Sequence, residues 1–494
     1  MMVILPLQSI TDEHHHINTK EKKMKSKLLY KLLAVLTLAS ILLSACGATA
    51  TEAPAPAEVP AATEAPTEEP VATEAPTEEP KPSGKLLIWV QKSNMEAWQN
   101  TVLPAFQEMY PDVEIEFVNS SPQEVAEKAG LCIQAGSGCP DLFVSDTLPG
   151  AALVDLGGLM DLTDLVSPYA AEMSASSLAA CTKDGKIYCA TWDVSPVGTF
   201  YRRDVFEAAG LASDPESVNA AIATYDDLLA TCNTIKEKTG LPCLSLNKAN
   251  SDGQLYDYML SQQGLGYFND KGEITINSPE NIATLEKLKL FWDADVVSDT
   301  QQWTDPWYAE FSNPLDNKEV PPTALIIIPV WMGSLFKTWL AIDAVGNWGV
   351  AEMPAFTVGG SRSATTRGSS YYIPETSANP EAAKALIQFL NFDPANNAAI
   401  FGAGGTFPAY AGAYADPIFD QEDPYFGGQK VNAFFADVAK NSPADYLLHP
   451  YAKTVAGKVQ IAIQKFAMGE LSAADALQEA AEAAALETGL NIAE

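Results

Sequence analysis

The chain has 494 residues, a length that suggests about three folding units, and it carries 63 acidic and 30 basic side chains for a net charge of −33. Residues 85–494 alone hold 52 acidic against 23 basic side chains, and so negative a surface repels phosphate backbones, which argues against a nucleic-acid partner. His14, His15 and His16 precede the apparent start, leaving His449 as the one further histidine, too few for a zinc site built on several imidazoles or for a Ser-His-Asp triad with a spare.

The first recognisable segment is 24–47, MKSKLLYKLLAVLTLASILLSACG. Lys25, Lys27 and Lys31 form a basic start, and the apolar run 32–43 is shorter than the roughly 20 residues that span a bilayer, as in a signal peptide. Leu43-Ser44-Ala45-Cys46 resembles a bacterial lipobox, a resemblance that implies acylation of Cys46 as the mature N-terminus. Met24 then reads as the true start, and 1–23 as an added or over-called leader. Residues 46–84 are rich in Ala, Thr, Glu and Pro, with ATEAPTEEP at 62–70 and again at 72–80. Such a composition cannot bury a core and predicts a disordered linker. From Ala48 to Gly84 it would reach roughly 35 Å as a coil and about 110 Å in polyproline form.

The folded part opens on a strand over 86–90, followed by a polar loop, Gln91-Lys92-Ser93-Asn94. Trp98, Val102, Phe106 and Met109 then recur at helical spacing, with Pro104 placed to start the second half. Residues 113–118 (VEIEFV) alternate as a strand with one buried face. A helix over 122–135 is broken by Gly136-Ser137-Gly138, and a strand over 142–145 follows. Strand, helix, strand, helix, strand predicts a parallel sheet with right-handed crossovers. Ligands bind beyond the carboxyl ends of such strands, which brings Gln91, Lys92, Asn94, Ser145 and Asp146 to one rim.

Apart from Cys46, six cysteines fall into near-neighbour couples: Cys132 with Cys139, Cys181 with Cys189, and Cys232 with Cys243. An even count at short spacing in an exported chain reads as a disulfide framework. Three local loops are the simplest of the possible connectivities, with buried free thiols as the alternative. No couple has the CxxC spacing of a metal site.

Phrases along 85–494 resemble the extracellular solute-binding proteins of ABC importers, in the maltose-binding-protein-like cluster that takes sugars and oligosaccharides. In order they are FQEMYPDVEIEFV, QAGSGCPDLFVSD, GGLMDLTDLV, DGKIYCATWDVSPVGTFYRRDVFEAAGL, TYDDLLATCNTIKEKTGLP, IIIPVWMGSLFKTW, WGVAEMPAF, NPEAAKALIQFL, GGTFPAY and FAMGELSAADALQEAAEAA. Each is largely apolar patterning, and the signal is their order. The resemblance implies a two-lobe α/β fold of the type II periplasmic-binding-protein kind, with the ligand between the lobes. Lobe one would hold 85–194 and 352–400, and lobe two 197–350 and 404–494. Crossovers would fall near Ser195-Pro196, Met353-Pro354 and Gly404-Gly405. The implied partners are a sugar or oligosaccharide and the permease subunits of a transporter, with the chain a monomer held at the membrane by its lipid alone. The resemblance implies neither cofactor nor enzymatic activity.

Sugars need aromatic faces for their C–H surfaces and fixed polar groups for their hydroxyls. Trp331 in PVWMGS resembles the family phrase whose tryptophan enters the cleft; the competing reading is core packing after the apolar run 325–328. Trp192 and Asp193 stand just before an expected hinge. Asp252 and Tyr256 occupy a stretch where the family often contacts ligand. Trp303, Trp307 and Tyr308 read as an edge cover. The stretch 454–459 (TVAGKV) lacks aromatics that some sugar binders place there, with Tyr451 as the possible substitute. Two rival functions remain open on residues alone. Many carboxylates allow a glycoside hydrolase pair, and the acidic charge with Tyr371-Tyr372 would suit a cationic solute such as a polyamine or ferric ion.

Overall fold

The computed structural model describes residues 81–248, 254–404, 406–443 and 449–493. The lipobox with Cys46, the linker up to residue 80, Asp252 and Gly405 lie outside the described residues. What is described belongs to one compact unit, Glu79–Glu494.

β1 (Gly84–Val90) buries Leu86, Ile88 and Val90 on one face. The chain enters a helix at Lys92 with Gln91 as its N-cap, so the expected loop over 91–94 is the first helical turn. Pro104 breaks this run: Lys92–Thr101 and Leu103–Met109 are separate helices meeting at Val102, because a proline fits the first turn of a helix and not its interior. β2 (Val113–Asn119) pairs parallel to β1 in register Gly84↔Val113. Helix Pro122–Ala135 starts in a reciprocal Ser121–Glu124 capping box and ends on left-handed Gly136. β3 (Leu142–Asp146) then pairs parallel to β1 on its other edge. β4 (Thr182–Lys183) and β5 (Lys186–Ile187) form a small ribbon, and β6 (Ala190–Thr191) leads to the long β7 (Val194–Arg202).

The second sheet is built on β7. β8 (Leu325–Pro329) runs antiparallel along one edge; β9 (Trp348–Ala351) and β10 (Thr365–Arg367) share the other. Alternate side chains face opposite sides. Val197, Tyr201, Leu325 and Ile327 join one core with helices Tyr225–Thr239, Pro279–Asp293, Ala452–Ala467 and Ala473–Thr488. Phe200, Ile326 and Ile328 join the other, with Phe336, Phe426 and Phe435. β11 (Ser369–Tyr372) returns to the first sheet, whose order is β2-β1-β3-β11-β6.

Three segments run side by side between the sheets. Val194 N donates to the Phe407 carbonyl at 2.9 Å, Ala409 N to Trp192 O at 3.0 Å, and Trp192 N to Ser369 O at 2.9 Å. The first crossing leads into β7 at Val194, and the third runs through Phe407 and Ala409. The second lies at Gly368, beyond Met353-Pro354, because Met353, Ala355 and Ala364 pack into the core of the second sheet. A side chain does not fit at Gly368 unless the backbone shifts, because a Cβ would stand 2.1 Å from the carbonyl oxygen of Asp193.

The six cysteines pair locally, as Cys132–Cys139, Cys181–Cys189 and Cys232–Cys243, with Cα separations of 5.2, 4.9 and 5.1 Å. The first ties the helix before β3 to the approach of that strand. The second closes the β4–β5 ribbon, and the third clamps the end of Tyr225–Thr239. Among the described residues no helix is long and apolar enough to cross a membrane.

Candidate functional site

The carboxyl ends of β1 and β3 face the second sheet across a cleft, where two cavities of about 780 and 360 Å³ open. Trp331 lines both, so they meet at its indole. Gln91, Ser93 and Asn94 supply one wall and Asp146 another part of it. The crossing segments give the floor: Asp193, Val194, Ser195, Thr365, Thr366, Gly368 and Ser369.

Asp146 is the N-cap of helix Thr147–Leu156, yet its carboxylate makes no capping bond. It accepts instead from the Ser369 hydroxyl at 3.4 Å. Asp193 accepts a short hydrogen bond from the Ser369 backbone N–H. Burial pushes the Asp193 carboxyl up to about 7, and the negative charge of Asp146 adds to the shift. Burial also raises Asp146, against the pull of Ser369. The Ser261 hydroxyl, on the same cavity as Asp146, is 3% exposed and has no hydrogen-bond partner among the described residues. A buried hydroxyl at the edge of a cavity is ordinarily satisfied by ligand or water. Towards the larger cavity, Lys337 Nζ pairs with Asp423 Oδ2 at 2.9 Å.

Trp331 opens the short helix Trp331–Leu335 immediately after β8 and is partly exposed. Its ring stacks on Trp303, with centroids 5.7 Å apart and planes inclined by 24°. Trp303 is 51% exposed and held at φ +64°, a left-handed conformation that costs a bulky residue about 1–3 kcal/mol. A buried polar shelf holds this segment. Trp307 is fully buried and donates Nε1–H to Ser245 Oγ at 3.2 Å. Ser245 in turn bonds to Glu310, which also accepts from Thr300 Oγ1 at 2.6 Å. Burial pushes Glu310 up to about 7.

Of the residues singled out from sequence, Gln91, Asn94, Asp146, Asp193 and Trp331 line the cleft. Asp252 lies outside the described residues, and the others are placed elsewhere. Ser145 is buried, its hydroxyl directed to the Asp146 carbonyl, because adjacent residues of β3 face opposite sides. Trp192 is 1% exposed between Trp98 and Tyr371, with ring centroids at 5.4 and 5.8 Å, and is a core residue. Tyr256 is 1% exposed and donates to the Asn281 carbonyl at 3.1 Å; its helix turns Asp257, Tyr258 and Ser261 to the cleft instead. Lys92 points to solvent and pairs with Glu96. Ser261, Ser369, Lys337 and Lys453 reach the cleft with no local motif to mark them.

The cleft therefore combines a half-covered indole, buried oxygen acceptors, a lone hydroxyl and amide groups. That set suits an uncharged solute with apolar faces and many hydroxyls. It does not suit tyrosinate ligation of ferric ion: Tyr371 and Tyr372 are buried away from both cavities, and burial pushes each phenol far above its ordinary range. Among the described residues no group of three or more His, Cys, Asp or Glu is arranged to hold a metal.

Residues 101–426 match the family described as bacterial extracellular solute-binding protein. An arabinooligosaccharide-binding protein of Bacillus subtilis is 24% identical over 391 residues, 76% of this chain and 86% of the relative. Another, from Halalkalibacterium halodurans, is 23% identical over 72% of this chain and 78% of its own length. Among solved structures, an extracellular solute-binding protein family 1 superposes with TM-score 0.70 at 21% identity, over 81% of this chain and 99% of the other. The ABC transporter associated binding protein of B. animalis subsp. lactis Bl-04, solved with beta-1,6-galactobiose, gives TM-score 0.65 at 20% identity, over 83% and 100%. The chain belongs to the bacterial extracellular solute-binding proteins, a family that binds and does not catalyse, and it has their two-lobe α/β fold.

Proposed function

We propose that this protein captures a neutral sugar or oligosaccharide in the cleft and hands it to the permease of an ABC transporter. The observation that carries the reading is the placement of Trp331, which lines one cavity with Asp193 and Ser369 and the other with Asp146. A sugar ring stacks on the indole. Its hydroxyls take Gln91 and Asn94 from one wall, Asp146 and Asp193 from the floor, and Ser261 from the other wall. The relatives that bind arabinooligosaccharides and the neighbour solved with a galactobiose support a saccharide over other neutral solutes.

Capture is a closure about the three crossing segments, in which the ligand selects the closed arrangement because it touches both walls only there. Outside the described residues, the lipobox-like Leu43–Cys46 and the linker behind it support a monomer tethered by lipid to the outer face of the membrane, with reach enough to meet its permease. Calorimetric titration with arabinooligosaccharides, galactooligosaccharides and maltooligosaccharides tests the reading, with polyamines and ferric citrate as controls. Binding to the controls alone would replace it with the cationic-solute reading.

A further inference from the structure

The aromatic surface does not stop at the cleft. Trp331 begins a continuous helical run, Trp331–Leu335 followed by a π-helical turn Phe336–Leu340, in which Ala341 N reaches back to the Phe336 carbonyl at 3.1 Å. Trp331, Leu335 and Trp339 recur every four residues along it and share a face. Trp331 and Leu335 line the larger cavity. Trp339 lies beyond it, about 12 Å from Trp331 along the axis, and is 55% exposed.

A second segment runs beside this one and meets it at both ends. Trp303 stacks on Trp331, and Tyr308 contacts Trp339 with ring centroids 4.8 Å apart. Trp307, buried between them, touches Trp303 at 5.1 Å and Tyr308 at 5.5 Å. Two half-exposed tryptophans joined by a chain of ring contacts form an aromatic surface that calls for a role. Trp303 rests on Trp307, which the Ser245–Glu310–Thr300 network holds from below, and Trp339 rests on Tyr308. A rigid, half-wet aromatic face continuous with a sugar cleft is built for more sugar rings.

We propose that Trp303, Tyr308 and Trp339 form an outer subsite that stacks the units an oligosaccharide extends beyond the cleft. This rests on the saccharide reading of Trp331. It makes the protein a binder that prefers longer chains, with affinity rising until the ligand reaches Trp339. A docking face for the permease is the competing use of the same rings.

The test is calorimetry with two length ladders, arabinooligosaccharides and β-1,6-galactooligosaccharides from one to six units, on the wild type, Trp339→Ala and Trp339→Phe. Thermal melting checks that each variant is folded. The expected result is unchanged affinity of Trp339→Ala for the shortest ligands bound, a 5- to 20-fold loss for the longest, and recovery of most of that loss in Trp339→Phe. Equal losses at all lengths, or none at any length, would overturn the outer subsite while leaving the cleft reading intact. Unaltered binding with impaired uptake in cells would assign the surface to the permease and overturn it too. If the wild type binds no member of either ladder and no other saccharide, both readings fall.

Discussion

Asp146 and Asp193 are joined through one residue: Ser369 gives its hydroxyl to the first and its backbone N–H to the second. Both carboxyls precede the first crossing, one at the end of β3 and one just ahead of β7, and Ser369 opens the strand that returns. The same triplet sets the polarity of the cleft floor, with Asp193 pushed up to about 7 by burial first and by the nearby Asp146 charge second.

That shift makes stability depend on pH. Asp193 and Glu310 are both raised to about 7, from ordinary values of 3.8 and 4.5. The folded protein therefore holds protons that the unfolded chain has released, and stability falls as pH rises towards 7, then levels off. Each group accounts for on the order of 3 kcal/mol between the two limits. Above about pH 5 unperturbed carboxylates are already ionised, so the melting temperature should drop from pH 5 to about 7.5. Glu310→Gln keeps the hydrogen-bond geometry without the titration and should flatten part of this slope. A melting temperature that climbs over the range would contradict the assignment.

Gly368 is the tightest point of the second crossing. Gly368→Ala must displace the Asp193 carbonyl, which a Cβ would meet at 2.1 Å. Overpacking of this kind costs about 1–3 kcal/mol, and it moves Asp193 and Ser369 as well. Denaturant unfolding should show the loss, and ligand affinity should fall in the same variant. Full stability with full affinity would mean that the crossing segments are looser than described.

The three disulfides are expected in the exported protein. No thiol should be alkylated before reduction, and all six of Cys132, Cys139, Cys181, Cys189, Cys232 and Cys243 should react afterwards. Replacing the Cys232–Cys243 pair with alanines should cost about 2–4 kcal/mol of stability. Six free thiols in native material would remove the framework.

The proposed lipid anchor rests on Cys46. The Cys46→Ser protein should leave the membrane fraction and appear unprocessed or in the medium, with sugar binding untouched because the cleft lies far along the chain. Undiminished membrane retention would end the lipid-anchor reading.

Much of the fold was legible because its signals are local. Alternation marked β2, and Gly136 and Pro104 marked helix ends. The strand–helix–strand order placed Gln91, Asn94 and Asp146 at a rim before any contact was known. The errors at the site are mostly errors of parity. Ser145 and Trp192 each stand one residue from a cleft carboxylate, on backbone whose neighbours face opposite ways. Tyr256 stands one residue from Asp257 on a helix that turns it inward. Each of these side chains faces away from the cleft while its neighbour lines it, and sequence position alone carries no facing. Ser369 was illegible for a different reason: it reaches the floor only because β11 pairs with β3, more than two hundred residues earlier in the chain. Ser261 likewise owes its place to the packing of helix Gln254–Ser261 beside β10, and Lys337 to its pairing with Asp423.

The central claim is that Trp331 is the stacking platform of a saccharide site, and titration calorimetry of the wild type against Trp331→Ala tests it most directly. With the tightest-binding arabino- or galactooligosaccharide, the variant should stay folded and lose roughly 2–4 kcal/mol of binding, about 30- to 1000-fold in affinity. A saccharide that binds the variant as tightly as the wild type would contradict the claim.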